Sequence, residues 1–297
     1  MLKSLLIPLT YFCLQTWLGI PQAKCERQLN MTEDAFDDQY LGCAKEMDAE
    51  ARKLLQKEMS PPFSTVWQNA TETWKAVKMT SRLSNFKDEY GIALLAYTDK
   101  TRFSDEAFPT IFNKAVRENG TSRDHYMASF HFKAFHYYLT RALQCLREEC
   151  NLVYRGVPAT FKYSEGDIRF GHFASSSMSE SVAERFRNGG TLFTIHTCFG
   201  VNIQAESYDP GQEEVLIPVH ETFHVSPKGK NHFDLQSTKK TCSHFNCAYL
   251  GGEKTETCVG NSATRGGPAF PGELSPPLSG GSVILIHIAA LKLFAGF

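Results

Sequence analysis

The sequence predicts a disulfide-bonded α+β protein in which a helical layer precedes a β-rich half. Three observations carry this expectation. Apolar residues recur at helical spacing from about residue 34 to 150, short β-forming runs between turn residues follow Cys150, and cysteines are frequent in a chain that opens on an export pattern.

In the first half, Phe36, Tyr40, Cys43, Met47, Ala51, Leu54 and Leu55 recur every three or four positions behind a candidate cap at Asp34. Trp67, Ala70, Trp74 and Val77 repeat the pattern, and so do Phe135, Tyr138, Ala142 and Leu146. In the second half, the runs at 152–157, 168–173, 192–198, 215–218, 222–225 and 232–236 read as strands.

The ends carry processing signals. Lys3 followed by the interrupted apolar stretch Leu5–Ile20 has the pattern of a signal peptide over residues 1–23, too short and too interrupted for a spanning helix. A Gly/Ser/Pro-rich stretch and then an apolar tail, Val283–Phe297, match a linker and GPI-anchor propeptide over 261–297. The expected address is the cell surface, with plain secretion as the alternative. Residues 24–260 form one domain, helical over about 30–150 and β-rich over about 151–250.

Cys13 leaves with the signal peptide, so eight cysteines remain: Cys25, Cys43, Cys145, Cys150, Cys198, Cys242, Cys247 and Cys258. An even number in an exported chain implies disulfides, although eight cysteines allow on the order of a hundred pairings. Their spacings make no convincing zinc site. The sequons at Asn30, Asn69 and Asn119 are expected to be glycosylated surface positions. With 31 basic against 32 acidic side chains and no basic-aromatic interleaving, nucleic acid is excluded as a partner.

Several segments invite a chemical reading. His220-Glu221-Thr222-Phe223-His224 matches HExxH, which binds zinc when a helix stacks its histidines. Pro218 and Pro227 bracket this segment among β-formers, and on a strand the two histidines would stand about 13 Å apart, so no metal is expected. Arg155, inside the apolar run 152–157, needs a partner: either a structural carboxylate or, functionally, a bound phosphate or carboxylate that Gly156 would let come close. Ser175, Ser176 and Ser177 offer hydroxyls to a ligand or form a solvated turn. The turn at Asp209-Pro210-Gly211 feeds a strand in which alternation would put Gln212 and Glu214 on one face and Glu213 on the other. A cleft-facing carboxylate there can stabilise a glycosidic cation, whereas an edge strand with solvated charges is the plainer reading.

Arginine, serine cluster and glutamate, in that order, resemble the R-S-E signature of the arginine-type ADP-ribosyltransferases. The segments AFDDQYLGC (35–43), GIALLAYT (91–98), FHFKAFHYYLTRAL (130–143), VYRG (153–156), LFTIHTCFG (192–200) and EEVLIP (213–218) extend the resemblance to the vertebrate ecto-enzymes of that family. It covers residues 30 to 250. The resemblance implies a β-sandwich-like NAD-binding core of two sheets, with NAD as substrate. Arg155 would grip the NAD phosphates and ribose, Ser175 would position the nicotinamide half, and Glu214 would hold the ribose and steady the cation. Gly156 would give backbone contacts, Phe186, in the loop after the serines, would stack on the ligand, and Gln212 would border it. The disulfides implied are Cys43–Cys247 and Cys150–Cys198, with Cys25, Cys145, Cys242 and Cys258 unassigned. Expected partners are arginine-bearing surface or secreted proteins and, through the anchor, a membrane; the chain is expected to act as a monomer.

One departure bears on chemistry. Members that modify arginine carry Glu-x-Glu, whereas this chain reads Gln212-Glu213-Glu214. A guanidinium has a pKa above about 12 and needs an anion to orient it and take its proton. An amide cannot serve as that base. The sequence therefore predicts NAD hydrolysis over arginine transfer, with efficient arginine transfer or a catalytically silent binding protein as alternatives.

Overall fold

The computed structural model describes residues 26–77, 86–103, 105–147 and 149–260. The expected signal peptide, Cys25 and the expected anchor signal lie outside the described residues.

Among the described residues, six helices form the first half: α1 (Ala44–Glu58), α2 (Phe63–Val77), α3 (Asp88–Thr98), α4 (Phe108–Glu118), α5 (Arg123–Ser129) and α6 (Lys133–Cys145). The third is buried on every side from Tyr90 to Thr98, as expected of a helix that is apolar all round. Gly91 makes that position possible, because a Cβ there would fall 2.3 Å from the Trp74 ring. Glu58, at the end of α1, accepts the backbone N–H groups of Lys133 (2.7 Å) and Ala134 (3.0 Å) and so caps α6. Phe63, Phe108, Phe112 and Phe135 fill the space between helices.

The helix expected from Asp34 begins only at Ala44. Residues before it run irregularly, with positive φ at Thr32, Tyr40 and Gly42. Their carboxylates explain why. Asp37 accepts the backbone N–H groups of His244 and Phe245 at about 3.0 Å, and Asp38 accepts those of Cys247 (2.9 Å) and Ala248 (2.7 Å). Asp37 also meets Arg169 at 2.5 Å, with both side chains at 0% exposure. The guanidinium further donates to the carbonyls of Met31, Thr32 and Cys242. Phe36 and Tyr40 are thus buried by tertiary contact rather than by helical phase.

The strands are β1 (Glu26–Gln28), β2 (Arg102–Phe103), β3 (Glu106–Ala107), β4 (Asn151–Val157), β5 (Thr160–Lys162), β6 (Ala174–Ser177), β7 (Thr191–Thr197), β8 (Val201–Asn202), β9 (Glu214–Ile217), β10 (Glu221–Gly229) and β11 (His232–Thr241); α7 (Glu180–Arg187) lies between β6 and β7. Seven of them form one sheet in the order β10-β11-β7-β4-β6-β9-β8, and β1–β5 and β2–β3 form small ones. Strands β9 and β10 are separated by four others in that sheet, about 24 Å if it were flat. Only Pro218, Val219 and His220 join them, a link that spans at most about 14 Å. The sheet must therefore curl into facing layers. Accordingly, Val215 and Ile217 from one end share an apolar cluster with Phe223 and Leu235 from the other. This is the sandwich-like core behind a helical layer that the sequence led us to expect.

The expected strand at 168–173 reduces to a single bridge between Ile168 and Phe223, because Arg169 turns inward to Asp37. The HExxH segment is not helical: His220 lies in the turn before β10, while His224 is exposed and pairs with Asp167. Glu221 is fully buried, accepting from Thr197 Oγ1 (2.5 Å), the Cys198 N–H (2.7 Å) and Ser237 Oγ (2.7 Å), and burial raises it to about 7. Disulfides join Cys43–Cys247 and Cys150–Cys198, as the resemblance implied, and also Cys242–Cys258; Cys145 is free among the described residues. Asn30 and Asn69 are exposed as expected of sequons. Asn119 is not: it is 8% exposed, and its amide donates to the Ala115 carbonyl at 2.7 Å to close α4.

Two stability predictions follow from the buried groups. Asp37→Ala strands the Arg169 charge and is expected to cost about 3–5 kcal/mol, read from urea midpoints, with Asp37→Ala/Arg169→Leu recovering part of the loss. His220 is held at about 3, first by burial and then by the Arg169 and Arg147 charges, against 6.5 when unfolded. A depressed histidine contributes stability above pH 6.5 and loses it as pH falls. The wild type should therefore lose about 2 kcal/mol between pH 6.5 and 5 through this group alone. The stability gap between wild type and His220→Asn should close by that amount over the same interval.

Candidate active site

Strands β4, β6 and β9 lie side by side, and their register fixes the site. Tyr154 stands opposite Ser177 and Ser177 opposite Glu214, while Ser175 stands opposite Leu216. The expected residues Arg155, Ser175 and Glu214, 59 positions apart at their extremes in the chain, thus come from neighbouring strands of one sheet.

Arg155 is half-buried, and its Nη1 donates to the Ser175 carbonyl. Its Nη2 lies 3.4 Å from Nε2 of His172, and the Phe170 ring lies 5.8 Å from the guanidinium carbon. Among the described residues no carboxylate forms an ion pair with it, so the structural salt bridge is not what holds this arginine. Burial lowers its pKa, with the Arg117 charge adding to the effect. A partly desolvated guanidinium with no carboxylate in ion-pair contact is a receptor for an anion.

His172 was not singled out from the sequence. Burial keeps its pKa well below the ordinary 6.5, and the charges of Arg155 and Arg117 push the same way. The neutral ring donates from Nδ1 to the Phe170 carbonyl at 2.6 Å, leaving the Nε2 lone pair toward Arg155. A histidine in Phe170-Gly171-His172-Phe173 carries no sequence signal for this contact with Arg155.

The serines divide their work. Ser176 Oγ donates to the Val215 carbonyl (2.7 Å) and Ser177 Oγ to the Gln212 carbonyl (2.7 Å), latching β6 to β9 and to the turn before it. Ser175 makes neither latch: its carbonyl accepts from Arg155, and its hydroxyl draws down the pKa values of Glu214 and Tyr97. Phe173, two residues earlier, anchors the strand to the helical layer. Its carbonyl accepts from Tyr97 Oη (2.8 Å) and Asn113 Nδ2 (3.1 Å), and its ring stacks on Phe112 at 5.7 Å.

Glu214 is 7% exposed. Burial raises its carboxyl pKa, and the Ser175 hydroxyl and the charges of Lys100 and Arg155 draw it back. Gln212 does not continue the strand, as alternation had suggested. It ends a 3-10 turn at Pro210–Gln212, and Glu213 takes a left-handed conformation (φ 47°) before β9 starts at Glu214. Pro210 and Gly211 favour the turn, and the Ser177 hydroxyl fastens its end at the Gln212 carbonyl. Gln212 Nε2 donates to Asp209 Oδ2 at 3.0 Å, and Lys100 Nζ reaches the same oxygen at 2.7 Å.

Phe186 belongs to α7 rather than to a loop. It is 51% exposed and lines a cavity of about 390 Å³ with Arg185, Asp209, Gly211 and Gln212. A second cavity of about 660 Å³ lies on the other side of Asp209, between α2 and the end of α3. At Gly156 the space for a side chain is taken by α7, since a Cβ would sit 1.8 Å from the Ala183 carbonyl oxygen. The glycine thereby lets α7 pack on β4.

Comparison with known proteins agrees with this arrangement. The family model described as "NAD:arginine ADP-ribosyltransferase" matches residues 29–243. The chain is 43% identical over 276 residues to human ecto-ADP-ribosyltransferase 5, covering 87% of this chain and 92% of that protein. It is also 43% identical over 239 residues to mouse T-cell ecto-ADP-ribosyltransferase 2, covering 76% and 79% of the two chains. Among solved structures, the mono-ADP-ribosyltransferase ART2.2 superposes with a TM-score of 0.69 at 42% identity, covering 75% of this chain and 99% of that one. A mutant of ART2.2 in complex with NAD gives the same TM-score at 41% identity and the same coverages. A curled sheet that brings Arg155, Ser175 and Glu214 together, joined to these matches along most of its length, makes this chain a member of the NAD:arginine ADP-ribosyltransferase family, on its vertebrate ecto-enzyme branch.

Proposed function

We propose that this protein cleaves the nicotinamide–ribose bond of NAD and passes ADP-ribose to water in preference to protein arginine. Arg155, without a carboxylate of its own, suits the phosphates and ribose of NAD. Ser175 suits the nicotinamide half, and Glu214 suits the ribose hydroxyl and the positive charge that grows as nicotinamide leaves with the bonding pair. A buried carboxylate next to that carbon acts in a low dielectric, where it stabilises the cation more than it would in water.

The observation that carries the preference for water is Gln212. One N–H of its Nε2 goes to Asp209, which turns the carbonyl oxygen of the amide away from that carboxylate. That oxygen accepts a hydrogen bond but is no base for a guanidinium. Water requires less help, because the cation is itself strongly electrophilic.

The reading includes an extracellular setting. The disulfides, the exposed Asn30 and Asn69 sequons and the export pattern support it, with a lipid anchor through the C-terminal tail. Among the described residues, no helix is long and apolar enough to cross a membrane.

Purified protein with labelled NAD tests the reading. Free ADP-ribose should dominate the products; efficient labelling of an arginine substrate with little free ADP-ribose would overturn the preference, and no nicotinamide release would mark a silent binder. Glu214→Gln should lower nicotinamide release by about 10²–10³-fold. Gln212→Glu should raise the share of ADP-ribose delivered to arginine. Because burial raises the Glu214 carboxyl, activity should fall on the acid side at a pH above the ordinary 4.5 of a glutamate, as the carboxylate is protonated.

A further inference from the structure

Gln212 is one end of a short polar chain that the departure from Glu-x-Glu does not by itself explain. Asp209 precedes the 3-10 turn and its carbonyl accepts the Gln212 N–H, while its Oδ2 accepts both from Gln212 Nε2 (3.0 Å) and from Lys100 Nζ (2.7 Å). Lys100 follows α3, so the pair ties the acceptor-side turn to the helical layer. Two more bonds do the same: the Tyr208 N–H donates to Thr98 Oγ1 at 3.1 Å, and Tyr208 Oη bonds Thr73 at 3.2 Å.

A carboxylate can only accept, so Asp209 decides which way the Gln212 amide faces. It also leaves an anion one hydrogen bond from the residue that replaces the expected glutamate. That anion is accessible: the Asp209 side chain is 47% exposed and borders both cavities that flank the turn. Lys100 occupies and neutralises it.

We propose that Asp209 is a displaced acceptor-side carboxylate, masked by Lys100, and that this mask, together with Gln212, sets the preference of the site for water over a guanidinium. The inference rests on the function proposed above and names the residues that tune it. In transfer, the C1′–nicotinamide bond breaks with its electron pair leaving on nicotinamide. A guanidinium nitrogen bonds to C1′, and its surplus proton passes to the Asp209 carboxylate and on to solvent. In hydrolysis the oxygen of water makes that bond and the proton goes to solvent. With Lys100 in place, a guanidinium must compete with an ammonium for the same oxygen.

The test uses Lys100→Met, which keeps the aliphatic stem, and Lys100→Met/Asp209→Asn, with NAD and agmatine as the guanidinium probe. The readout is the ratio of ADP-ribosyl-agmatine to free ADP-ribose, in which any general loss of turnover cancels. Lys100→Met should raise it about fivefold, the factor that releasing an exposed ion pair can supply, and the double variant should return it to the wild-type value. An unchanged ratio in Lys100→Met, or a rise that persists in the double variant, overturns the inference. Agmatine binding by calorimetry without NAD reads the same point with no turnover: Lys100→Met should bind more tightly than wild type and double variant, and equal affinities overturn the inference. Absence of nicotinamide release from the wild type would instead sink the proposed function, so the two failures are distinguishable.

Discussion

The buried contact between Asp37 and Arg169 is the constraint on which the rest of the molecule depends. It ties three segments that are far apart in the chain: the irregular stretch before α1, the loop before β6, and the strand end and turn at 242–248. An ion pair at zero exposure is costly to desolvate, and it persists here because nearly every donor and acceptor around it is used. Asp37 takes backbone N–H groups in addition to Arg169, and Arg169 takes three carbonyls in addition to Asp37. What this knot contributes is a unique arrangement. It stops residues 168–173 from pairing as a strand and delivers His172, Phe173 and Ser175 to their places.

From that knot the site is assembled by backbone carbonyls as much as by side chains. The Phe173 carbonyl is held by Tyr97 and Asn113 of the helical layer, and the Ser175 carbonyl holds Arg155. His172 stays neutral because it is buried beside a guanidinium, and so it can accept from Arg155 without repelling it. The result is a cation whose hydrogen-bond partners are neutral dipoles. Such a group keeps most of its electrostatic reach for an incoming anion, while on the proposed reading Glu214, on the strand beside the serines, would supply the opposite sign where positive charge develops.

On the proposed reading, the difference between hydrolysing NAD and modifying arginine comes down to one turn. A glutamate and a glutamine have nearly the same shape, but only the first can take a proton from a guanidinium. The turn at 207–213 is fastened to the helices through Tyr208 and Asp209, which makes its chemistry a property of the helical layer as well as of the sheet.

Much of this was legible in the sequence. The division into helices and strands, the strands β4, β7, β9, β10 and β11, the helices α2 and α6 and the candidates Arg155, Ser175 and Glu214 follow from apolar periodicity, turn residues and a resemblance carried by long segments. These are local signals, set by which side chains can share a face at period 3.6 or 2. Tertiary structure alone decided the rest. Phe36 and Tyr40 have helical spacing, but lie in an irregular segment because Asp37 and Asp38 bond backbone more than two hundred residues away. The 168–173 run has strand composition but loses its strand to Arg169. His172 and Asp209 gain contacts with neighbours from other strands and helices. Residue type and spacing determine which local structures are affordable, whereas hydrogen bonds and charges between distant segments determine which are adopted, since a buried polar group must find its partner wherever the fold provides one.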